Sequence, residues 1–265
     1  VNPFDVAMII VILLMAGAGY WAKALTVSGA CMSFIVGASV YIGFSLQGFL
    51  LLLLFFSTST LCSKYKKEKK RGLEEKLEKH DRRDYIQVLA NGGVAAACSL
   101  LYAATASPVC MWMFMISISA ANADTWASEI GSLSKRPPFY IWTLKRVEAG
   151  TSGAVSLLGT AAGAAGAFLI AAACYFAFPY VSLGGILLVG CFGFIGNAID
   201  TLLGASVQVR FRCQSCGIET ERKEHCRKPT IKEKGIIFFN NDVVNLAAIL
   251  LAAFTGGILI LFLPI

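Results

Sequence analysis

Charge is scarce in this chain, and basic charge is missing from whole regions of it. Asp, Glu, Lys and Arg make up 15% of its 265 residues against 57% hydrophobic. With a mean hydropathy of +0.68, that composition excludes a soluble domain. The first apolar stretch has neither the basic start nor the cleavage site of a secretory signal peptide, so a retained first span is expected. Polar clusters are absent from one half of the apolar stretches, counted along their length. That argues against a solute pathway running through the membrane, which would need polar residues in both halves.

What is present is a series of long apolar runs. A hydrocarbon core about 30 Å thick takes roughly 20 apolar residues per helix. Eight candidate spans follow, at 4–22, 27–46, 48–63, 86–106, 109–133, 151–178, 183–206 and 243–264. The fold expected is an all-α polytopic membrane helix bundle of about eight transmembrane helices. It forms a single integral membrane domain, 1–265, with loops at 64–84, 134–150 and 208–234.

Basic residues orient these spans. All 23 Lys and Arg fall in the connections after spans one, three, five and seven: Lys23, ten residues from Lys64 to Arg83, four from Lys135 to Arg146, and eight from Arg210 to Lys234. The alternate connections, around Gln47, Ser107-Pro108 and Pro179-Tyr180, hold none. By the positive-inside rule the basic connections are cytoplasmic and both termini lie outside. The net charge of +7 suits topology, anionic lipid heads or nucleotides. A bacterial cell membrane is the expected setting, with no nucleic-acid partner.

Chemistry concentrates in the cytoplasmic halves. Span five carries Asn122, Asp124 and Glu129, and span seven places Gly193, Gly196, Asn197, Asp200 and Gly204 on one helical face. Carboxylates at membrane depth are expensive and mark functional sites. Asp124 lies eleven residues before Lys135 and Asp200 ten before Arg210, so both sit roughly 15 Å inside the basic boundary. They either hold a metal–phosphate group or are buried acids paired with Arg83, Lys145 or Arg146. Asp124 and Glu129 point about 140° apart on an ideal helix, so they share a site only if the helix is broken or wedged between partners. Gly150-Thr151-Ser152-Gly153, leading to Ser156, reads as a helix entry offering free N–H groups to an anion. Asn91 with Gln87, and Asn240, Asn241 and Asn245, are either interhelical or capping groups or site residues.

In the last loop, Cys213-x2-Cys216 followed by His225-Cys226 offers four soft ligands suited to tetrahedral zinc. The alternative is reduced cytoplasmic thiols. This loop is expected to lie apart from the acids.

The strings Asn122-Ala-Asp124-Thr125-Trp-Ala-Ser-Glu129-Ile-Gly131, Gly150-Thr151-Ser-Gly153-Ala-Val-Ser156-Leu-Leu-Gly159-Thr160, Asp200-Thr-Leu-Leu-Gly204-Ala and Asn240-Asn241-Asp-Val-Val-Asn245 resemble the transmembrane-protein-19 family over nearly the whole chain. That family includes the plant chloroplast phytyl-phosphate kinase. The resemblance implies phosphoryl transfer from a nucleoside triphosphate to a membrane-embedded isoprenoid phosphate. On this reading Asp124 and Asp200 bind Mg²⁺, with Glu129 a third catalytic acid. Arg83, Lys135, Arg136, Lys145, Arg146 and the 150–156 segment hold the triphosphate. Asn91, Asn122, Asn197, Asn240, Asn241 and Asn245 line the substrates. The competing class is a carrier or lipid translocator using the acids as ion or proton sites.

Overall fold

A computed structural model describes residues 2–69 and 82–263. Its helices begin where the sequence offers caps. Asn2 precedes α1 (Pro3–Trp21), Thr26 precedes α2 (Val27–Lys64), and Asp84 opens α3 (Tyr85–Thr105) in a capping box with Gln87. Ser107 and Pro108 start α4 (Pro108–Gly131), Ser156 starts α5 (Leu157–Ala177), Ser182 starts α6 (Leu183–Ser206), and Asn240 starts α7 (Asn241–Ile260). Each of these side chains except Ser107 accepts a hydrogen bond from a first-turn N–H, which offsets one of the orphan donors at a helix start.

The expected spans at 27–46 and 48–63 form one element, α2, whose backbone leaves the helix at Phe44 and Ser45, the latter at φ 49°. A straight helix of 38 residues would run about 57 Å. Instead the chain reverses: Lys64 Nζ at its end donates to Ala22 O just before its start (3.1 Å). Phe44, at the bend, stacks on Tyr102 and Phe114 with centroids 4.5 and 4.3 Å apart.

Six of the seven helices among the described residues are long and apolar enough to cross a membrane. The protein is therefore a polytopic helical membrane protein that requires a lipid bilayer. The seventh, α4, carries Asn122, Asp124 and Glu129 and stands in the middle of the bundle, packed on α2, α3, α5, α6 and α7. Phe114, Met115, Ile116, Ala121 and Ala123 on it are fully buried. Close approach depends on small residues. A Cβ on Gly159 or Gly163 of α5 would lie 2.8 Å from Ala127 O or 3.2 Å from Ala123 O. Outward faces carry exposed Leu14, Ile42, Leu61 and Phe176, as lipid contact requires.

Two departures from the all-α expectation lie in the loops. The sixth span begins at Leu157 rather than 151, because Ala154–Val155 (β2) pairs antiparallel with Phe139–Tyr140 (β1). Residues 208–234 fold into a small ribbon. In it β3 (Arg210–Arg212) lies between β4 (Glu219–Thr220) and β7 (Ile231–Lys234), and β5 (Glu224–His225) pairs with β6 (Lys228–Pro229). Most of the charged 64–84 segment, which reads as a solvated helix in sequence, falls at 70–81, outside the described residues.

Candidate functional site

At the basic end of the bundle, helix ends and loops enclose a cavity of about 480 Å³. The central helix α4 supplies Asp124 and Glu129, and α6 supplies Asn197 and Asp200. The 140° between the two α4 acids is bridged without any break in the helix: α4 is surrounded by partners, and the cavity wraps around its last turns. Asn245 of α7 steadies Asp200. With its amide nitrogen facing acceptors, it donates to Asp200 Oδ2 (2.7 Å) and Asn241 O (3.0 Å). Glu129 Oε1 accepts from Ser63 Oγ at 2.7 Å.

Opposite charge comes from the other wall. Lys23, Lys64, Lys67 and Arg83 line the cavity. Arg83 is tied at its backbone, where Thr26 N donates to Arg83 O and Arg83 N to Ala24 O, both 3.0 Å. Gly29 makes room for this strand: a Cβ there would collide with Arg83 O. Burial pulls the Arg83 guanidinium below its ordinary value, and the Glu129 carboxylate works against that. A half-buried arginine in the field of a carboxylate is poised for a second anion.

Several sequence candidates meet here: Arg83, Asn91, Asp124, Glu129, Asn197, Asp200, Asn241, Asn245 and the stretch Gly150, Thr151, Ser152, Gly153 and Ser156 all face the cavity. Gly150 does not open a helix, though. Gly150 and Gly153 take φ 84° and 80° in a turn, and the helix starts only after Ser156, whose Oγ accepts from Gly159 N (3.0 Å).

Others do not line the cavity. Asn122 is fully buried with its amide occupied. Its Oδ1 accepts from Thr58 Oγ1 (3.1 Å) and Ser59 Oγ (3.4 Å), and its Nδ2 donates to Gly166 O (2.8 Å). Asn240 is the cap of α7, accepting from Val243 N (3.1 Å). Lys135, Arg136, Lys145 and Arg146 are exposed on the β1 hairpin. Arg146 there donates to Pro137 O (2.8 Å) and covers the Phe139 ring.

The cavity also holds residues that sequence patterns offer little reason to choose. Lys23, Lys64 and Lys67 look like ordinary topology signals, and Ser63 like a packing residue. Gln208 and Glu221 come from the ribbon, so the loop expected to lie apart forms a wall of the cavity. Gln208 Nε2 donates to Glu221 Oε1 at 2.7 Å, and Ser152 Oγ does so at 3.4 Å.

In the same ribbon Cys213, Cys216, His225 and Cys226 present ligand atoms all within 4.8 Å of one another. Among the described residues the cavity acids Asp124, Glu129 and Asp200 do not form such a close group. N–H donation from Cys216 pulls the Cys213 thiol down to about 6, while hydrogen bonding to Cys216 pushes Cys226 up to about 11.

Fold and site together define a polytopic membrane protein with a polar cavity of both charge signs at one end of its bundle. More particularly, the chain belongs to the family of integral membrane proteins called DUF92, which matches residues 10–253. It is 32% identical to Protein PGR of Arabidopsis thaliana over 94% of each chain. An uncharacterized membrane protein of Methanocaldococcus jannaschii is 35% identical over 85% of this chain and 82% of its own. Protein VTE6, chloroplastic, of Arabidopsis thaliana is 25% identical over 91% of this chain and 67% of its own. Relatives in a plant and an archaeon do not single out a bacterial cell membrane. No solved structure matches the chain.

Proposed function

We propose that this protein is a membrane-embedded kinase that uses a nucleoside triphosphate to convert an isoprenoid monophosphate to the diphosphate. The observation that carries the reading is a single cavity holding acids from two helices, Asp124, Glu129 and Asp200, together with Lys23, Lys64, Lys67 and Arg83. Carboxylates alone would suit a cation site, and lysines alone an anion site. Both together suit a magnesium polyphosphate. The motif resemblance to the transmembrane-protein-19 family and the similarity to a chloroplastic plant protein point the same way.

Asp124 and Asp200 would hold Mg²⁺, which takes one or two carboxylates and keeps water and phosphate oxygens; once bound it neutralises charge on the phosphates. Arg83 and the lysines would bind the triphosphate, and the 150–153 turn would present backbone N–H groups to it. The terminal phosphoryl group then passes to an acceptor phosphate oxygen, with its bond to the nucleoside diphosphate breaking. The acceptor is already an ionised monoester, so no strong base is required. Its chain would lie in lipid.

The reading includes an orientation: eight membrane crossings, α2 counting as two, with both termini outside and the cavity open to the cytoplasm. Purified protein with Mg²⁺, labelled nucleotides and a panel of prenyl phosphates should yield diphosphate. Asp124→Asn and Asp200→Asn should each reduce its formation by about 10²-fold or more while leaving the protein folded. Full activity in both folded variants would remove the metal site. No diphosphate from wild type, with solute movement in liposomes, would make the protein a carrier.

A further inference from the structure

The ribbon at 208–234 has a small core confined to its first half: Val209, Phe211, Cys213 and Thr220 are buried beside Gln208 and Arg210, and nothing from 221 to 234 is. Its strands are two to four residues long. Short strands with so small a core need a staple, and a metal is one of the few available. The staple's donors lie at the tips of two hairpins. Cys213 and Cys216 occupy the turn between β3 and β4, closed by Gly217 at φ 75° with its N–H on Cys213 O (3.0 Å). His225 ends β5 and Cys226 begins the turn to β6, where Cys226 and Arg227 take φ 52° and 59°.

The spacing fits one tetrahedral ion. With Zn–S near 2.3 Å and Zn–N near 2.0–2.1 Å, sulfur and nitrogen donors of such a centre lie about 3.5 Å apart. His225 Nδ1 is 3.4 Å from Cys216 Sγ and 3.3 Å from Cys226 Sγ. Three thiols and an imidazole form a soft donor set that selects zinc over magnesium or calcium. Although adjacent in sequence, His225 and Cys226 both turn toward the centre, because the left-handed backbone at Cys226 folds the hairpin tip back.

The tetrad is also coupled to the cavity. Glu221 lies between the two ligand pairs in the chain, and its carboxylate accepts from Gln208 and Ser152 on the cavity wall. Arg210, three residues before Cys213, donates to Glu219 Oε1 (2.8 Å) and to Ser152 O. Ser152 is thereby tied to the ribbon, while Gly153 beside it lies against Ala205 of α6, and its carbonyl accepts from Ile141 N (3.1 Å).

We propose that Cys213, Cys216, His225 and Cys226 bind one zinc ion, and that this ion holds the Glu221–Ser152 wall of the cavity in place. The inference is independent of the kinase reading, because it concerns the wall and not the reaction. The full-length protein, purified in detergent without chelators, should carry about one zinc per chain, and Cys213→Ser and Cys226→Ser should lose it. Stripping zinc from wild type, which avoids any misfolded variant, should speed amide exchange across residues 148–156 about tenfold or more. Added zinc should restore protection and magnesium should not. Protein that holds no zinc and takes up none at micromolar concentration would overturn the site, as would a different resident metal. Zinc present, with exchange at 148–156 unchanged on stripping, would overturn its hold on the wall. Either result reads the same whether or not diphosphate forms.

Discussion

Two asparagines on helices that pack together, α4 and α7, illustrate how differently the same side chain is used. Asn122 spends its amide on three neighbours inside the bundle, on α2 and α5. Asn245 spends its own on a carboxylate that faces the cavity. Asn122→Ala removes three side-chain hydrogen bonds, at a cost of about 0.5–1.5 kcal/mol each. A lowered midpoint of thermal unfolding in detergent is expected, with the magnesium dependence of activity unchanged. Asn245→Ala should do the reverse. It removes a group that orients a proposed metal ligand, so the magnesium needed for half-maximal activity should rise about 10- to 100-fold, with little change in unfolding. Equal effects of the two substitutions on magnesium dependence would show that the distinction drawn from their hydrogen bonds does not hold.

At the scale of elements, much was legible. Ser, Thr, Asn or Asp stands before each helix, and the apolar runs between these caps match the helices to within a few residues at most ends. The convergence of Asp124 and Asp200 was legible too, from their equal distance to the basic boundary. Four things were not. The entry to α5 reads as helix from Thr151 because it is rich in small residues. Its pairing with β1 is a contact across fourteen residues that no local pattern announces. The cavity-facing lysines were hidden by serving topology as well, and Asn122 by resembling the acids' other neighbours. The ribbon's docking was invisible because it depends on Arg210 reaching Ser152 O, some sixty residues away. Gly153 tests the seat of the 150–153 turn on α6. It holds φ 80°, and a Cβ there would collide with Ala205, so Gly153→Ala meets both backbone strain and a clash. Displacement of the turn should weaken nucleotide binding at least tenfold by equilibrium dialysis, if ~1–3 kcal/mol of strain is relieved by moving it. Gly17, in α1 and outside the cavity lining, has open space around its Cβ position and is the control: Gly17→Ala should leave nucleotide binding within about twofold of wild type.

On the scale of the molecule, charge is segregated from end to end. Helices α3, α5 and α7 all begin at the basic end, so their positive dipole ends face the same cavity as Lys23, Lys64, Lys67 and Arg83. The acids of α4 and α6 approach from the C-terminal ends of their helices, where carboxylates are disfavoured by the dipole. They face the basic wall of Lys23, Lys64, Lys67 and Arg83 across the same cavity. This arrangement serves a cytosolic nucleotide only if the basic end faces the cytoplasm. Orientation is open to direct measurement. The opposite end presents the turns at Ser107 and Pro179, where no lysine or arginine occurs. In a background with all nine native cysteines replaced, Ser107→Cys and Pro179→Cys should react with a membrane-impermeant maleimide on intact cells. Ser134→Cys and Thr230→Cys, in the basic loops, should react only after the membrane is opened. The α2 bend supplies a third outer position, Gln47→Cys, which labels from outside if the two halves of α2 each cross the membrane. Labelling of Ser134→Cys in intact cells would turn the molecule over and take the cavity away from cytosolic nucleotides. Protection of Gln47→Cys, with Ser107→Cys accessible, would instead leave α2 as a re-entrant hairpin and reduce the number of crossings to six.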